Sequence, residues 1–435
     1  MSTTQILRGG TVTDQRGTRR ADVAWVDGVI TDVADSIDPP VGSEILDASD
    51  AIVMPGLVDL HAHLREPGQE EAETIETGAR GAALGGFTAV VAMPNTTPTM
   101  DHPSVVRDVL AIAEGASCEV VPSAAMTVGR EGKLLSPMGE LASMGVRIFT
   151  DDGDGVQDAA LMLRIMEYAS GLAAVTGGQP IVLAQHCEVA SLSAGGHMHE
   201  GEWSGRLGMG GQPSEAETLM IVRDIMLSRR TGAHIHMQHV STAEGVELIR
   251  HAKADGVRIT SEATTHHFTL TDENCATYDP VFKVHPPLRT AADVAAIKAG
   301  LADGTIDAIA TDHAPHEPHT KEFPFDQAPP GMLGLETALS LATAELELDM
   351  ATIAALMSWK PAAIAGIGDR HGRPIEPGEP ANLCVFDPSE RWTISGTEMA
   401  SRSQNSPYTG REATGRVRHT IFNGDAVVLG GEATR

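Results

Sequence analysis

Short β-type runs alternate with helix-type runs between about residues 55 and 365, and this alternation is the strongest constraint on the fold of the 435-residue chain. For example, the β-type run at residues 88–93 precedes a helical pattern, and so does the run at 146–150. Strands that alternate with helices pair in parallel, and about 300 residues of them suit an eightfold β/α barrel. A doubly wound sheet is the alternative, but the sequence lacks its Gly-rich loop after the first strand. We therefore expect an α/β fold with a (β/α)8 TIM-like barrel.

Both ends of the chain have a different pattern, in which β-type runs are separated by turns rather than by helices. The N-terminal runs include a hairpin signal at Asp27-Gly28, and similar runs return near residues 381–387 and 417–425. We expect the two ends to pair into one small β-sandwich domain. The predicted division is residues 1–54 and 366–435 for this domain and 55–365 for the barrel.

Charge and cysteine content restrict the partners. The formal net charge is −28, from 31 Lys and Arg against 59 Asp and Glu. Nucleic acids and anionic membranes attract basic surfaces, so we expect neither as a partner. The four cysteines form no Cys-x-x-Cys pair, and no basic segment followed by an apolar one opens the chain. These features are typical of a reduced, cytoplasmic protein.

Metal-type ligands follow several of the predicted barrel strands. In a β/α barrel the carboxyl ends of all strands meet at one rim, so residues far apart in sequence converge there. Imidazole and carboxylate ligands without thiolate suit Zn²⁺, Mn²⁺ or similar ions, and their number exceeds what one catalytic ion needs. Two ions that share a bridging carboxylate are the simplest interpretation. The strand-end residues are His61, His63, Asp151, Asp152, His186, His239 and Asp312.

Each of these residues also has a structural alternative. Asp151 and Asp152 precede Gly153 and could form only a turn, and His186 alone would be more typical of a core histidine. Other histidines are predicted to be structural, namely His234, His236, His266 and His267, and a further set is predicted to lie on the surface, namely His197, His199, His251, His371 and His419. The repeated placement of ligands at strand ends favours the metal site.

Several longer motifs support a family resemblance. They are Pro55-Gly56-Leu57-Val58-Asp59 before His61-x-His63-x-Arg65, Met93-Pro94-Asn95-Thr96, Phe149-Thr150-Asp151-Asp152-Gly153, His186-Cys187-Glu188, His239-Val240-Ser241-Thr242, Ala310-Thr311-Asp312-His313-Ala314-Pro315-His316 and Asn405-Ser406-Pro407-Tyr408. Together they make the chain resemble the amidohydrolase superfamily, and within it the bacterial class I dihydroorotases. The resemblance covers nearly the whole chain.

The resemblance implies reversible, metal-dependent hydrolysis of the cyclic amide of (S)-dihydroorotate to N-carbamoyl-L-aspartate, a step of de novo pyrimidine biosynthesis. It also implies two Zn²⁺ ions per chain, bridged by Asp152 and a hydroxide, with Asp312 as general base and then general acid. The implied ligands are His61, His63 and Asp312 for one ion and His186 and His239 for the other.

For the substrate, the resemblance implies contacts from Arg65, Asn95, His285 and His316 and from the backbone around Pro330 and Gly331. His285 is a departure, since the family usually has Asn before this Pro-Pro pair.

Two functional alternatives remain open at this stage. The first is another cyclic amidohydrolase, namely a hydantoinase, dihydropyrimidinase or allantoinase, although hydantoinases and allantoinases generally use a carboxylated lysine where Asp152 stands here. The second, of a different class, is a non-catalytic partner of aspartate transcarbamoylase, but such relatives are expected to lose ligands, and here all six are present. A homodimer or an assembly with aspartate transcarbamoylase is compatible with the catalytic reading.

Overall fold

The structure is a computed structural model that describes residues 3–435, and its first strands belong to a sheet outside the barrel. These strands are β1 (Gln5–Asp14), β2 (Gly17–Val26), β3 (Val29–Ala34), β4 (Glu44–Asp47) and β5 (Ile52–Pro55). The turn between β2 and β3 is the predicted one, because Asp27 and Gly28 both have positive φ, at 49° and 79°. A two-residue hairpin turn with two positive φ values matches the twist of the strands it joins.

Eight parallel strands then form the barrel, as the alternating sequence pattern predicts. Bridges between Ala62 and His313 and between Ala124 and Phe149 join the last strand to the first and the third to the fourth, which closes the ring. A pair of two-residue strands, β11 and β12, lies in an insertion. The strands in order are β6 (Leu57–Ala62), β7 (Phe87–Ala92), β8 (Glu119–Pro122), β9 (Ile148–Thr150), β10 (Val182–Gln185), β11 (Met198–His199), β12 (Gly211–Gln212), β13 (His234–Met237), β14 (Ile259–Thr264) and β15 (Ala308–Ala310).

Helices connect the barrel strands, and a large cluster of buried apolar side chains packs them against the strands. Some boundaries are set by capping: Thr242 accepts a hydrogen bond from the backbone N–H of Gly245 where α8 begins. The helices are α1 (Ile75–Leu84), α2 (Pro103–Ile112), α3 (Met138–Ser143), α4 (Ala159–Ser170), α5 (Ala190–Ser193), α6 (Glu202–Leu207), α7 (Glu215–Thr231), α8 (Ala243–Ala254), α9 (Thr265–Thr269), α10 (Ala291–Asp303), α11 (Ala338–Glu345), α12 (Met350–Ala354) and α13 (Lys360–Ile364).

Short 3₁₀ turns and one π-helical turn complete the barrel region. The 3₁₀ turns are Val128–Arg130, Leu172–Ala174, Asp272–Thr277, Pro280–Phe282 and Pro318–Glu322, and the π-helical turn is Ala355–Trp359. Among residues 3–435, no helix has the length and apolar character needed to cross a membrane.

The C-terminal strands return to the first sheet. They are β16 (Leu383–Thr393), β17 (Glu412–Phe422), β18 (Asp425–Leu429) and β19 (Glu432–Ala433). β16 pairs antiparallel with β5, so both ends of the chain contribute to one nine-stranded sheet, with a core around Trp25 and Val385. The expectation that the termini form one β unit is thus confirmed, whereas the division at residues 54 and 366 stays a prediction.

The prediction of surface positions is wrong for three histidines. His199, His371 and His419 are at most 7% exposed. Polar partners explain how they are buried: His371 lies between the hydroxyl of Thr88 and the carboxylate of Glu119, at 3.0 and 2.8 Å. Satisfied polar groups of this kind cannot be identified from local sequence because their partners lie hundreds of residues away.

Candidate active site

The strand ends bring all six predicted metal ligands together at one rim of the barrel. Each side chain comes from the carboxyl end of a strand: His61 and His63 from β6, Asp152 from β9, His186 from β10, His239 from β13 and Asp312 from β15. Two overlapping groups place their ligand atoms within 4.8 Å of one another, namely His61, His63 and Asp312, and His61, Asp152 and His239. All six side chains are buried.

His61 and His63 each direct one ring nitrogen at the carboxylates and use the other for a hydrogen bond. Nδ1 of His61 lies 2.9 Å from Oε1 of Glu262, and Nδ1 of His63 lies 2.9 Å from Oδ1 of Asn95. Because both partners are acceptors, each Nδ1 donates, and a neutral ring then has a bare Nε2. Nε2 of His61 lies 3.3 Å from Asp152 and 3.5 Å from Asp312 and has no hydrogen-bond partner among the described residues.

His186 and His239 approach Asp152 from the other side. Nδ1 of His186 and Nε2 of His239 are 2.9 Å apart and lie 3.6 and 3.5 Å from Oδ1 of Asp152. The outer nitrogen of His186 lies 3.4 Å from Glu188, an acceptor that orients the ring. This arrangement therefore directs two imidazole nitrogens at one carboxylate oxygen.

This donor set fits divalent cations. Burial alone would lower the pKa of His61, but the fields of Asp152 and Asp312 raise the pKa well above its ordinary value. The same negative field that favours a proton on the ring favours a metal ion between the bare nitrogens and the carboxylates. Imidazoles oriented through their other ring nitrogen by an acceptor are typical of metal ligands.

Backbone conformation at the rim is unusual. Arg65, His239 and Asp312 have positive φ values of 62°, 33° and 44°, in the left-handed region that side chains other than glycine rarely adopt. Such conformations cluster at sites where the surrounding structure imposes them to aim a side chain. Burial would raise the pKa of Asp312, yet His61 and His63 lower it below the usual range, so the carboxylate is ionised.

A cavity of about 210 Å³ opens over the candidate metal ligands. All predicted substrate residues line it, namely Arg65, Asn95, His285, His316, Pro330 and Gly331. The size is that of a small molecule rather than of a polymer.

Arg65 supplies the positive charge in this cavity. Its Nε donates to the carbonyl of Pro315 at 3.1 Å, which fixes the guanidinium group. Burial lowers the pKa of Arg65 to about 10, so the side chain stays charged at neutral pH. In the cavity wall, Gly331 has a φ of 142°, and a side chain there would clash with Ala314 and His316 at 2.8 Å. The glycine therefore leaves its backbone open to a ligand.

Sequence reasoning missed two buried carboxylates that organise the site. Glu262, inside β14, joins Nδ1 of His61 at 2.9 Å to Nε2 of His236 at 3.1 Å. Asp59 accepts the backbone N–H of Thr311 at 3.0 Å and so ties β6 to the segment that carries Asp312. An acidic residue inside a largely apolar strand is a signal that could have found Asp59, whereas β14 is polar at several positions and gives no such signal for Glu262. Asp151, by contrast, accepts the backbone N–H of Thr127 at 3.0 Å and does not line the cavity.

Comparison with known proteins identifies relatives over nearly the full length. A sequence model of the family described as "Dihydro-orotase-like" matches residues 50–245. The dihydroorotase of Streptomyces coelicolor is 45% identical over 416 residues, which are 94% of this chain and 95% of that protein. The dihydroorotase of Mycobacterium tuberculosis is 44% identical over 420 residues, 95% of this chain and 96% of that protein.

Solved structures share the architecture. An L-hydantoinase from Arthrobacter aurescens aligns with a TM-score of 0.88 at 23% identity and covers 100% of this chain and 98% of its own. A dihydropyrimidinase from Brevibacillus agri aligns with a TM-score of 0.85 at 20% identity over 99% of this chain and 96% of its own. At this level of identity the likeness is one of fold.

Proposed function

The chain belongs to the dihydroorotase family, and from that premise we propose that it catalyses the reversible hydrolysis of the cyclic amide of (S)-dihydroorotate to N-carbamoyl-L-aspartate in de novo pyrimidine biosynthesis. One observation carries the proposal: the fixed guanidinium of Arg65 lines the same small cavity as the candidate metal ligands. An anionic ring substrate needs such a charge to bind its carboxylate, and its ring amide must at the same time reach the proposed metal ions. Neutral cyclic amides would not require it.

Two Zn²⁺ ions are the proposed cofactors. His61, His63 and Asp312 would hold one ion, His186 and His239 the other, and Asp152 would bridge them together with a hydroxide. When bound, the ions would polarise the amide carbonyl and lower the pKa of water toward neutrality. The buried donor set supports two ions because six ligands exceed the needs of one.

Asp312 is the proposed proton carrier. Its Oδ1 lies 3.0 Å from Nε2 of His63, and the carboxylate borders the cavity where the ring amide would lie. In the hydrolytic direction Asp312 accepts the proton of the attacking water and delivers it to the departing ring nitrogen; in the cyclisation direction the transfer is reversed. The ionised state of Asp312 suits the first of these steps.

Substrate contacts follow from the hydrogen bonds already present. Oδ1 of Asn95 accepts from His63, so its NH₂ group remains free to donate to the substrate carboxylate beside Arg65. We propose His316 as a further contact of this carboxylate. In the structure its Nε2 donates to the carbonyl of Pro330 at 2.7 Å, so a hydrogen bond to the substrate would replace that one. The backbone of Pro330 and Gly331 would meet the amide edge of the ring, and His285, which also lines the cavity, would donate to the substrate.

A cyclisation assay tests the function. Purified protein with Zn²⁺ should interconvert carbamoyl-aspartate and dihydroorotate, with about two ions per chain by metal analysis. Asp312→Ala should abolish turnover. If the protein instead opens hydantoin, dihydrouracil or allantoin rings and leaves dihydroorotate untouched, the substrate assignment is wrong. A chain without metal and without turnover would point to a scaffold role.

We further propose that the protein works in the cytoplasm on this small molecule, as a homodimer or in an assembly with aspartate transcarbamoylase. The strongly acidic composition disfavours nucleic acid and anionic membranes as partners. Mass measurement of the purified protein, alone and mixed with aspartate transcarbamoylase, separates the two assemblies.

A further inference from the structure

Gln212 contacts the cavity wall from behind. Its Nε2 lies 2.9 Å from Nε2 of His285 and 3.2 Å from the carbonyl oxygen of Gly196. Since a carbonyl oxygen only accepts, the atom of Gln212 that faces Gly196 is the NH₂ group and not the amide oxygen. The same NH₂ group therefore donates to His285, whose Nε2 must carry a lone pair instead of a proton.

The tautomer of His285 follows from this hydrogen bond. Burial lowers the pKa of His285 to about 4, so the ring is neutral near pH 7 and has a single proton. With Nε2 acting as acceptor, that proton is on Nδ1. Nδ1 has no hydrogen-bond partner within residues 3–435, and His285 lines the cavity. The ring thus has one donor left for a ligand.

Gln212 itself is held firmly. It is 2% exposed, and its backbone carbonyl accepts from Nη1 of Arg289 at 3.1 Å. The backbone at Gly196 approaches so closely that a Cβ atom on this residue would lie 2.4 Å from Cγ of Gln212. A side chain packed this way keeps one orientation, which the tautomer argument requires.

We propose that Gln212 is a positioning residue that fixes His285 as a donor through Nδ1, so that the ring binds an oxygen of the anionic substrate. This rests on the proposed function. A neutral imidazole offers its donor on only one nitrogen, so a histidine here needs a neighbour that decides which nitrogen faces the cavity.

Two substitutions of similar size separate this role from packing. In Gln212→Glu the carboxylate only accepts hydrogen bonds, so the ring proton of His285 moves to Nε2 and donates to it. Nδ1 then becomes an acceptor that repels a substrate oxygen. Gln212→Met removes the hydrogen bond and leaves both tautomers accessible. We expect kcat/KM for dihydroorotate to fall about tenfold or more in Gln212→Glu, mainly through KM, and less in Gln212→Met. If the Met variant is as impaired as the Glu variant, or more so, the proposal fails.

A second background controls for damage to the fold. In His285→Ala the ring is absent, so adding Gln212→Glu should cause no further loss of kcat/KM. An equal additional loss in that background would show that Gln212 acts through the insertion around Gly196 and would overturn the proposal.

Nitrogen-15 NMR of histidine-labelled protein tests the tautomer without any turnover. The resonances of His285, assigned by their disappearance in His285→Asn, should show a protonated Nδ1 and a bare Nε2, with the order exchanged in Gln212→Glu. The opposite tautomer in the unsubstituted protein would refute the proposal. If wild-type protein shows the expected tautomer but does not turn over dihydroorotate, the proposed function fails and the positioning role survives.

Discussion

Arg65 is the residue whose charge distinguishes an anionic ring substrate from a neutral one. The guanidinium is 8% exposed and oriented by Pro315, so it offers its remaining N–H groups to a carboxylate in a fixed geometry. We expect Arg65→Met to lower kcat/KM for dihydroorotate about 100-fold, mostly through KM, and Arg65→Lys to lose less because it keeps a charge without the planar fork. Steady-state kinetics in both directions measure the effect.

The control for Arg65 is Arg206→Met, which removes an exposed arginine paired with Glu202 on α6. This variant should retain the wild-type KM. A wild-type KM in Arg65→Met would instead show that the substrate carboxylate lies elsewhere.

Glu262 sets the orientation of one proposed ligand without touching the cavity. It bridges His61 and His236 and is fully buried, and these two histidines hold its pKa at about 2 although burial opposes this. Glu262→Gln removes the negative charge and leaves a single acceptor oxygen for the two histidines, so His61 is held less firmly with its Nε2 bare. We expect metal affinity to fall about 10- to 100-fold, measured by competition with a chromophoric chelator.

Glu336→Gln is the matched control, because this carboxyl group is also largely buried but contacts the backbone N–H of Ala400 instead of a proposed ligand. Unchanged metal affinity in Glu262→Gln would contradict the orienting role.

At the scale of elements, the sequence predicts the barrel and its rim well because parallel strands necessarily bring their carboxyl ends together. Placement after a strand is enough to predict that Asp152, His239 and Asp312 lie at one rim, as the structure has them. Glu262 could not be found this way, because it lies inside β14 and meets His236 only through the register that pairs His236 with Thr260. Register between strands is a long-range property that local residue patterns do not specify.

The segment from His316 to Pro330 borders the cavity at both of its ends, and Lys321 joins it to the 3₁₀ turn that begins at Pro280. Nζ of Lys321 donates to the carbonyls of Pro280 at 3.1 Å and Pro329 at 2.8 Å. Lys321→Met keeps the stem and loses both hydrogen bonds. We expect faster amide hydrogen exchange in residues 316–331 and a KM several-fold higher, since Pro330 and Gly331 are then held less firmly.

Lys133→Met serves as the control for Lys321, since Lys133 is an exposed lysine that pairs with Glu131. Exchange in residues 316–331 should be unchanged in that variant. If Lys321→Met also leaves this exchange unchanged, the two carbonyl contacts do not restrain the loop.

At the scale of the whole molecule, Glu119 connects the barrel to the segment that leads back to the terminal sheet. It begins β8 and accepts hydrogen bonds from Arg370 at 2.6 Å and His371 at 2.8 Å, both of which follow α13. His371 in turn contacts Thr88 of β7 at 3.0 Å. One carboxylate therefore ties two barrel strands to the start of the return segment, a link that no local pattern in the sequence indicates.

This link makes stability depend on acidity in a defined direction. Burial would raise the pKa of Glu119, but His371 and Arg370 lower it from 4.5 to about 2. A carboxyl group with a depressed folded-state pKa stabilises the fold above its unfolded pKa, and this contribution is lost as the pH falls from about 4.5 through about 2.

Glu119→Gln should therefore cost about 1–2 kcal/mol of unfolding free energy near neutral pH, a range that allows for partial solvent exposure. The deficit should shrink toward zero near pH 2. Urea unfolding across this pH range measures it, with exposed Glu114→Gln as the control; a deficit that stays constant with pH would show that packing, rather than the charge of Glu119, maintains the connection.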